Sequence, residues 1–172
     1  MALPDLVCHP LLGLKMKISV VQLVIQKSHE IEIDLPYNEI YTAAYAAPLF
    51  CKKIGSLNIE HTAMIALDNS DRIINFFVVS MGEIDSVKVS LAQMFRTALL
   101  SNASKIIVAH NHPSGVLEIT SKDIEMTRKI GFFARSFDIE LIDSLVVTRT
   151  DYVSIRSHCK EFLDEHKNSN EN

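Results

Sequence analysis

The stretch Lys105-Ile106-Ile107-Val108-Ala109-His110-Asn111-His112-Pro113-Ser114-Gly115 carries two histidines at the end of an apolar segment. The apolar run predicts a buried strand, and the residues from Pro113 to Gly115 have the composition of a turn. Two histidines at positions i and i+2 of an extended segment point to the same side, with α-carbons about 6.6 Å apart. Both imidazoles can therefore bind one metal ion.

Asp123 offers a third ligand, with ten residues between it and His112. Two histidine nitrogens and one carboxylate oxygen leave the fourth tetrahedral position of Zn²⁺ for water, as in catalytic zinc sites. The residues therefore predict a mononuclear zinc site at His110, His112 and Asp123. A structural interpretation stays open, because His110 could cap a strand end and the residues from Thr120 to Asp123 resemble a capping box.

A hydrolytic zinc site gains from a general base, and Glu60 is the candidate for it. Glu60 immediately precedes a mostly apolar run, His61-Thr62-Ala63-Met64-Ile65-Ala66-Leu67, which predicts a strand. A carboxylate at the mouth of a strand is either a solvated edge residue or an active-site acid. From the residues alone the solvated interpretation is favoured, because glutamate is rarely buried without a partner.

The same residues resemble the signature of the JAMM (MPN-type) metalloproteases, and the string His-Asn-His-Pro-Ser-Gly resembles their bacterial RadC-like branch. The resemblance implies that His110, His112 and Asp123 bind zinc. It implies further that Glu60 activates a water molecule and that Ser121 stabilises the oxyanion. The implied activity is that of a zinc-dependent hydrolase, which cuts a peptide or isopeptide bond in a substrate that stays unidentified.

Two other classes of function remain open beside the hydrolase. A nucleic-acid-processing or DNA-repair role is associated with RadC-like chains, but the formal net charge of -4 does not support broad contact with nucleic acid. The third class is a non-catalytic scaffold that binds a protein partner. Zinc deaminases, which can share a related architecture, need a Pro-Cys-x-x-Cys ligand pair that the sequence lacks.

Composition predicts one compact domain, since 172 residues with 48% hydrophobic content can bury a sizeable core without disulfides. We expect this domain at residues 1–166, with an added N-terminal strand at 17–25 and a disordered tail at 167–172. No apolar stretch reaches the roughly eighteen residues of a membrane span, and the first residues lack the pattern of a signal peptide. The oligomeric state stays open.

Cysteine usage favours a reducing cytoplasm as the location of the protein. The sequence has three widely spaced cysteines, Cys8, Cys51 and Cys159, which form no CxxC pair and leave an odd count. These thiols are expected to be ordinary core or surface residues.

Alternating strand and helix patterns predict an α/β domain of two or three layers, with a mixed sheet flanked by helices. The resemblance implies a JAMM/cytidine-deaminase-like architecture. The first expected helix starts within 36–40, is kinked or interrupted at Pro48 and ends at Gly55. A short polar connection then predicts an antiparallel hairpin of the strand after Glu60 with 72–80. A helix follows the N-cap Ser90, with these residues in the core: Leu91, Met94, Phe95, Ala98 and Leu99. The remaining elements are a strand at 104–110, a helix at 121–137 with Met126, Ile130, Phe133, Ala134 and Phe137 inward, strands at 139–148 and 152–155, and a helical turn at 159–166.

Overall fold

A computed structural model describes residues 26, 29, 30, 39–81 and 91–158. The described elements, in chain order, are α1 (Ala43–Lys53), β1 (His61–Leu67), β2 (Ile73–Met81), α2 (Leu91–Leu100), β3 (Lys105–Asn111), α3 (Ser121–Ser136), β4 (Glu140–Val147), β5 (Tyr152–Ser154) and α4 (Ile155–His158). None of these helices is long and apolar enough to cross a membrane. The strand predicted at 17–25, the cap at Ser90, the turn at 159–166 and the tail at 167–172 lie outside the described residues, as do Cys8 and Cys159.

The described strands form one mixed sheet in the order β2-β1-β3-β4-β5. β1 is antiparallel to both β2 and β3, β3 is parallel to β4, and β4 is antiparallel to β5. The predicted hairpin of β1 and β2 is confirmed. Because β1 runs antiparallel to β3, the start of β1 and the end of β3 lie at the same edge of the sheet, and this edge carries Glu60 beside the two histidines.

Helices cover both faces of the sheet, which confirms the predicted α/β class and gives three layers. One hydrophobic cluster joins α1 to one face, and its largest members include Leu49, Phe50, Ile65, Ile107 and Leu145. A second cluster joins α2 and α3 to the opposite face, with Met64, Met94, Phe95, Ile106 and Ile130 among its members. β1 and β3 are covered on both faces, which explains why both strands are nearly continuous apolar runs.

The first helix begins later than predicted, at Ala43 instead of within 36–40. The backbone N–H of Ile40 donates to the carbonyl of Asp71 at 2.8 Å, which ties this part of the chain to the turn between β1 and β2. Thr42, the N-cap residue, has an extended backbone with φ of -141° and ψ of 156°, so the helix starts only at the next residue. The local pattern therefore predicts this helix but places its start too early.

Pro48 does not interrupt α1, although the sequence predicts a kink or break there. Proline has no N–H to donate to the carbonyl four residues earlier, that of Ala44. Both Pro48 and Ala44 are exposed, so water can hydrate this carbonyl, while the buried side chains on the opposite side hold the helix together. Gly55 follows the helix, as predicted. A Cβ atom at this position would lie 2.1 Å from the carbonyl oxygen of Thr148, so any other residue would force the backbone to shift.

Three residues that were predicted to lie in the core are in fact partly exposed: Leu99 at 46%, Phe133 at 40% and Phe137 at 43%. The two phenylalanines still pack against Phe95, with ring centroids 6.2 and 5.5 Å away. Leu99 is turned about 100° around α2 from the buried Ala98. The sequence therefore predicts correctly which sides of α2 and α3 face the core, but it assigns too many residues to these buried sides.

Candidate metal centre

His110, His112 and Asp123 meet at the end of β3. His110 Nε2 lies 3.2 Å from His112 Nε2 and 3.0 Å from Asp123 Oδ1. His112 Nε2 lies 3.9 Å from Asp123 Oδ2. Ligand atoms about 2.0 to 2.2 Å from a tetrahedral zinc ion are about 3.3 Å from one another. The three side chains therefore fit one such ion, with a fourth position left for another ligand.

The turn after β3 orients the ring of His112. The backbone N–H of Gly115 donates to the carbonyl of His112 at 2.9 Å, and Gly115 has a φ of +74°, which glycine adopts without strain. The chain then returns so that His112 Nδ1 donates to the carbonyl of Val116 at 2.9 Å. A proton on Nδ1 leaves the lone pair of Nε2 available to a metal ion.

Asp123 is both a capping residue and a candidate ligand. The N–H and hydroxyl of Thr120 each donate to Asp123 Oδ2 at 2.7 Å, and the N–H of Asp123 donates to the Thr120 hydroxyl at 3.3 Å, which completes a capping box at the start of α3. The other oxygen, Oδ1, faces His110. The capping and ligand interpretations are therefore compatible, because they use different oxygens of one carboxylate.

The surroundings of Asp123 lower its pKa to about 2. Burial, with the residue 3% exposed, acts to raise the pKa. The hydrogen bond and charge of His110 outweigh burial, together with the hydrogen bonds from Thr120. The positive end of the α3 dipole acts in the same direction. Asp123 therefore stays ionised, which is the form that binds a cation.

This low pKa gives Asp123 a pH-dependent contribution to the stability of the metal-free protein. Since the folded-state pKa lies below the ordinary value of 3.8, the contribution is fully present above that value and is lost as the pH falls towards 2. It amounts to roughly 2 kcal/mol. Urea unfolding of the chelator-treated parent and Asp123→Asn proteins should show a gap in unfolding free energy that narrows on acidification. A gap that stays constant over this range would contradict the prediction.

Glu60 lies at the same edge of the sheet as the three candidate ligands. Thr62, two residues after Glu60, pairs with His110 across β1 and β3. A cavity of about 190 Å³ lies between α3 and the sheet, and its walls include Glu60, Thr62, His110 and Asp123. Folding therefore brings Glu60 to the cavity of the metal centre, although fifty residues separate it from His110 in the chain.

Two hydroxyl residues stand at the start of α3, and their surroundings differ. Ser121, whose role the family resemblance implies, is the first residue of the helix and is exposed to solvent. The hydroxyl of Thr120 contacts the Asp123 carboxylate directly. The sequence pattern predicts Thr120 as a helix-capping residue, which is confirmed, but it gives no sign that this hydroxyl belongs to the candidate site.

A family model and several known proteins match this chain over most of its described residues. Residues 40–160 match the family model of the RadC-like JAB domain. The chain is 36% identical over 117 residues to a UPF0758 protein of Chloroflexus aurantiacus, an alignment that covers 68% of this chain and 51% of that protein. It is 34% identical over 110 residues to a UPF0758 protein of Finegoldia magna, with 64% and 49% covered. The chain thus spans about half the length of these curated relatives.

Proposed function

The chain belongs to the RadC-like JAB-domain family, and on this basis we propose that it is a zinc-dependent hydrolase of the JAMM type, which cuts a peptide or isopeptide bond. The observation that carries the proposal is that His110, His112 and Asp123 meet at one point, and that two of them, His110 and Asp123, line one cavity together with Glu60. Two imidazoles and one carboxylate form a donor set of catalytic zinc sites, which keep one position open for water or substrate.

Glu60 is the residue that moves a proton in the proposed reaction. A bound zinc ion would polarise the substrate carbonyl and lower the pKa of a water molecule to about 7. Glu60 takes a proton from the water molecule while the oxygen of this water adds to the carbonyl carbon of the substrate. Glu60 then gives this proton to the leaving nitrogen as the carbon–nitrogen bond breaks. The products are a carboxylic acid and an amine, and Glu60 returns to its ionised form.

Charge balance supports this assignment of Glu60. A zinc ion with two neutral histidines and the Asp123 carboxylate has one positive charge, which the Glu60 carboxylate neutralises. The zinc ion with its ligands and Glu60 would thus carry no net charge, which lowers the cost of placing it beside apolar side chains. The apolar part of the cavity wall consists of Val108, Met126 and Ile130.

Cleavage assays with the zinc-loaded protein test the proposed function. Peptide, isopeptide and nucleic-acid substrates are incubated with the protein, with and without a chelator. We expect cleavage of a peptide or isopeptide bond, which the chelator abolishes and added zinc restores. Zinc-dependent cleavage of nucleic acid alone would support the nucleic-acid class instead. A protein that binds zinc and cleaves none of these substrates would point to a non-catalytic scaffold.

A hydroxyl at the start of α3 is proposed to stabilise the oxyanion, and Ser121 is the residue that the family pattern selects. We expect Ser121→Ala to lower kcat on the order of a hundredfold, the cost of one lost oxyanion donor, with zinc content unchanged. Thr120→Ala is the matched comparison, and it also removes a helix cap worth about 1 kcal/mol. A loss of kcat in Thr120→Ala, with Ser121→Ala near the parent rate, would transfer the role to Thr120.

A further inference from the structure

Asn111, the residue between the two histidines, is fully buried with 0% exposure and has all of its carboxamide groups hydrogen bonded. Its Oδ1 accepts a hydrogen bond from the backbone N–H of His61 at 2.7 Å. Its Nδ2 donates to the carbonyls of Leu57 and Ile59 at 3.1 and 3.2 Å. An apolar side chain at this position would remove all three bonds and leave the N–H of the buried His61 without this acceptor, which is costly.

The three partners of Asn111 surround Glu60 in the chain. α1 ends at Lys53 and β1 begins at His61, so Glu60 stands in a connection that belongs to no helix or strand. The described pairing of β1 with β3 ends at Thr62 and His110. At the next position, the side chain of Asn111 forms the hydrogen bonds between the two segments. It binds the N–H of His61 and two carbonyls of the connection that precedes β1.

We propose that Asn111 is a positioning residue, which fixes the backbone on both sides of Glu60 and so holds the Glu60 carboxylate at the metal centre. The inference rests on the proposed role of Glu60 as the general base. Asn111 lies between His110 and His112 in the chain, so one residue links the strand that carries two ligands to the connection that carries the base. A base must lie within about 3.2 Å of the proton that it takes, and a displacement of about 1 Å can cost roughly a hundredfold in rate.

Two substitutions of Asn111 and one control separate positioning from general support of the fold. Asn111→Ala removes all three hydrogen bonds. Asn111→Asp keeps the shape and the acceptor for His61, but it loses both donors to the carbonyls. Asn75 provides the control, since it is a part-buried asparagine on β2 whose Nδ2 donates to Ser101 Oγ at 2.6 Å. Asn75→Ala removes a carboxamide of the same kind and leaves residues 57–61 intact.

The binding of acetohydroxamic acid to the zinc-loaded protein measures the position of Glu60 without a turnover assay. A hydroxamate chelates zinc, and its hydroxyl proton can pass to a carboxylate beside the ion. We expect Glu60→Gln and Asn111→Ala each to raise the Kd at least about tenfold, as for a lost hydrogen bond to a charged group. The double variant should bind no more weakly than Glu60→Gln alone, because Asn111 acts through Glu60. Asn75→Ala should bind like the parent protein.

Several results would overturn the inference. If Asn111 only supported the fold, its effect would not depend on Glu60. Asn111→Ala would then weaken the binding of acetohydroxamic acid equally in the parent protein and in the Glu60→Gln variant, and this result would refute positioning. No weakening in either protein would refute it as well. If the Asn111→Ala protein does not fold or does not bind zinc, Asn111→Asp replaces it in the same comparison with Glu60→Gln. Loss of folding or of zinc in Asn111→Asp would also refute positioning. Unchanged binding by Glu60→Gln alone would refute the premise that Glu60 is the base, and a parent protein without zinc would refute the proposed function itself.

Discussion

The Glu60→Gln variant is expected to fold and bind zinc like the parent protein and to lose hydrolysis by roughly a hundredfold to ten-thousandfold, the usual contribution of a general base. Glutamine keeps the size of the side chain but cannot accept the proton of the attacking water. Glu60 is not among the three side chains that meet at the metal centre, so its charge can be removed without removing a ligand. Steady-state kinetics, zinc content and thermal unfolding of the purified variant test the three parts of this prediction.

Glu125→Gln is the matched control for this substitution. Glu125 lines the same cavity, but its side chain is exposed and pairs with Lys129, one turn further along α3, at 2.6 Å. We expect Glu125→Gln to retain turnover close to that of the parent. Undiminished turnover in Glu60→Gln would exclude Glu60 as the base, whereas loss of both zinc and fold would assign it a structural role.

The His112→Ala variant is expected to lose most of the zinc that the parent protein carries at about one ion per chain. The substitution removes one of three protein ligands. Removing a residue that only supports a ligand lowers zinc affinity roughly tenfold to hundredfold, so the loss in His112→Ala should be larger than this. Metal analysis of protein purified without a chelator, and zinc titration of the metal-free protein, measure this loss.

His61→Ala is the control for the loss of a buried imidazole at the same edge of the sheet. His61 is 8% exposed, and its Nδ1 contacts the carbonyl of Ile59 at 2.9 Å, away from the three candidate ligands. Its backbone N–H, which binds Asn111, remains after the substitution. We expect His61→Ala to keep its zinc. Equal metal content in the His112→Ala and parent proteins would refute the assignment of His112 as a ligand.

Local sequence patterns were sufficient for the parts of the site that lie within one element. The apolar run before His110 predicts the buried strand, and the alternation of side chains along an extended segment predicts that His110 and His112 share one side. The pattern of Thr120 to Asp123 predicts a helix start with Asp123 in its first turn, and the structure has it there. These features depend on residues close together in the chain, so single-sequence patterns capture them.

Contacts between distant parts of the chain could not be predicted in this way. The three hydrogen bonds of Asn111 reach residues 50 to 54 positions earlier, and no local pattern indicates them. The bond from the N–H of Ile40 to the carbonyl of Asp71, just before α1, is likewise a contact between distant parts of the chain. For Glu60, the residues alone favoured a solvated edge position, and the family resemblance was needed to connect it with the histidines. Tertiary contacts override local propensity at each of these positions.

Anomalous scattering at the zinc absorption edge, from crystals of the protein loaded with zinc, tests the proposed centre most directly. We predict one zinc peak per chain, bound by His110 Nε2, His112 Nε2 and an Asp123 oxygen at about 2.0 to 2.2 Å, with water as the fourth ligand. Glu60 should contact this water without binding the ion. A zinc ion with a fourth protein ligand would be a closed, structural site and would contradict the proposed hydrolase, and the absence of a peak between these three side chains would contradict the metal centre itself.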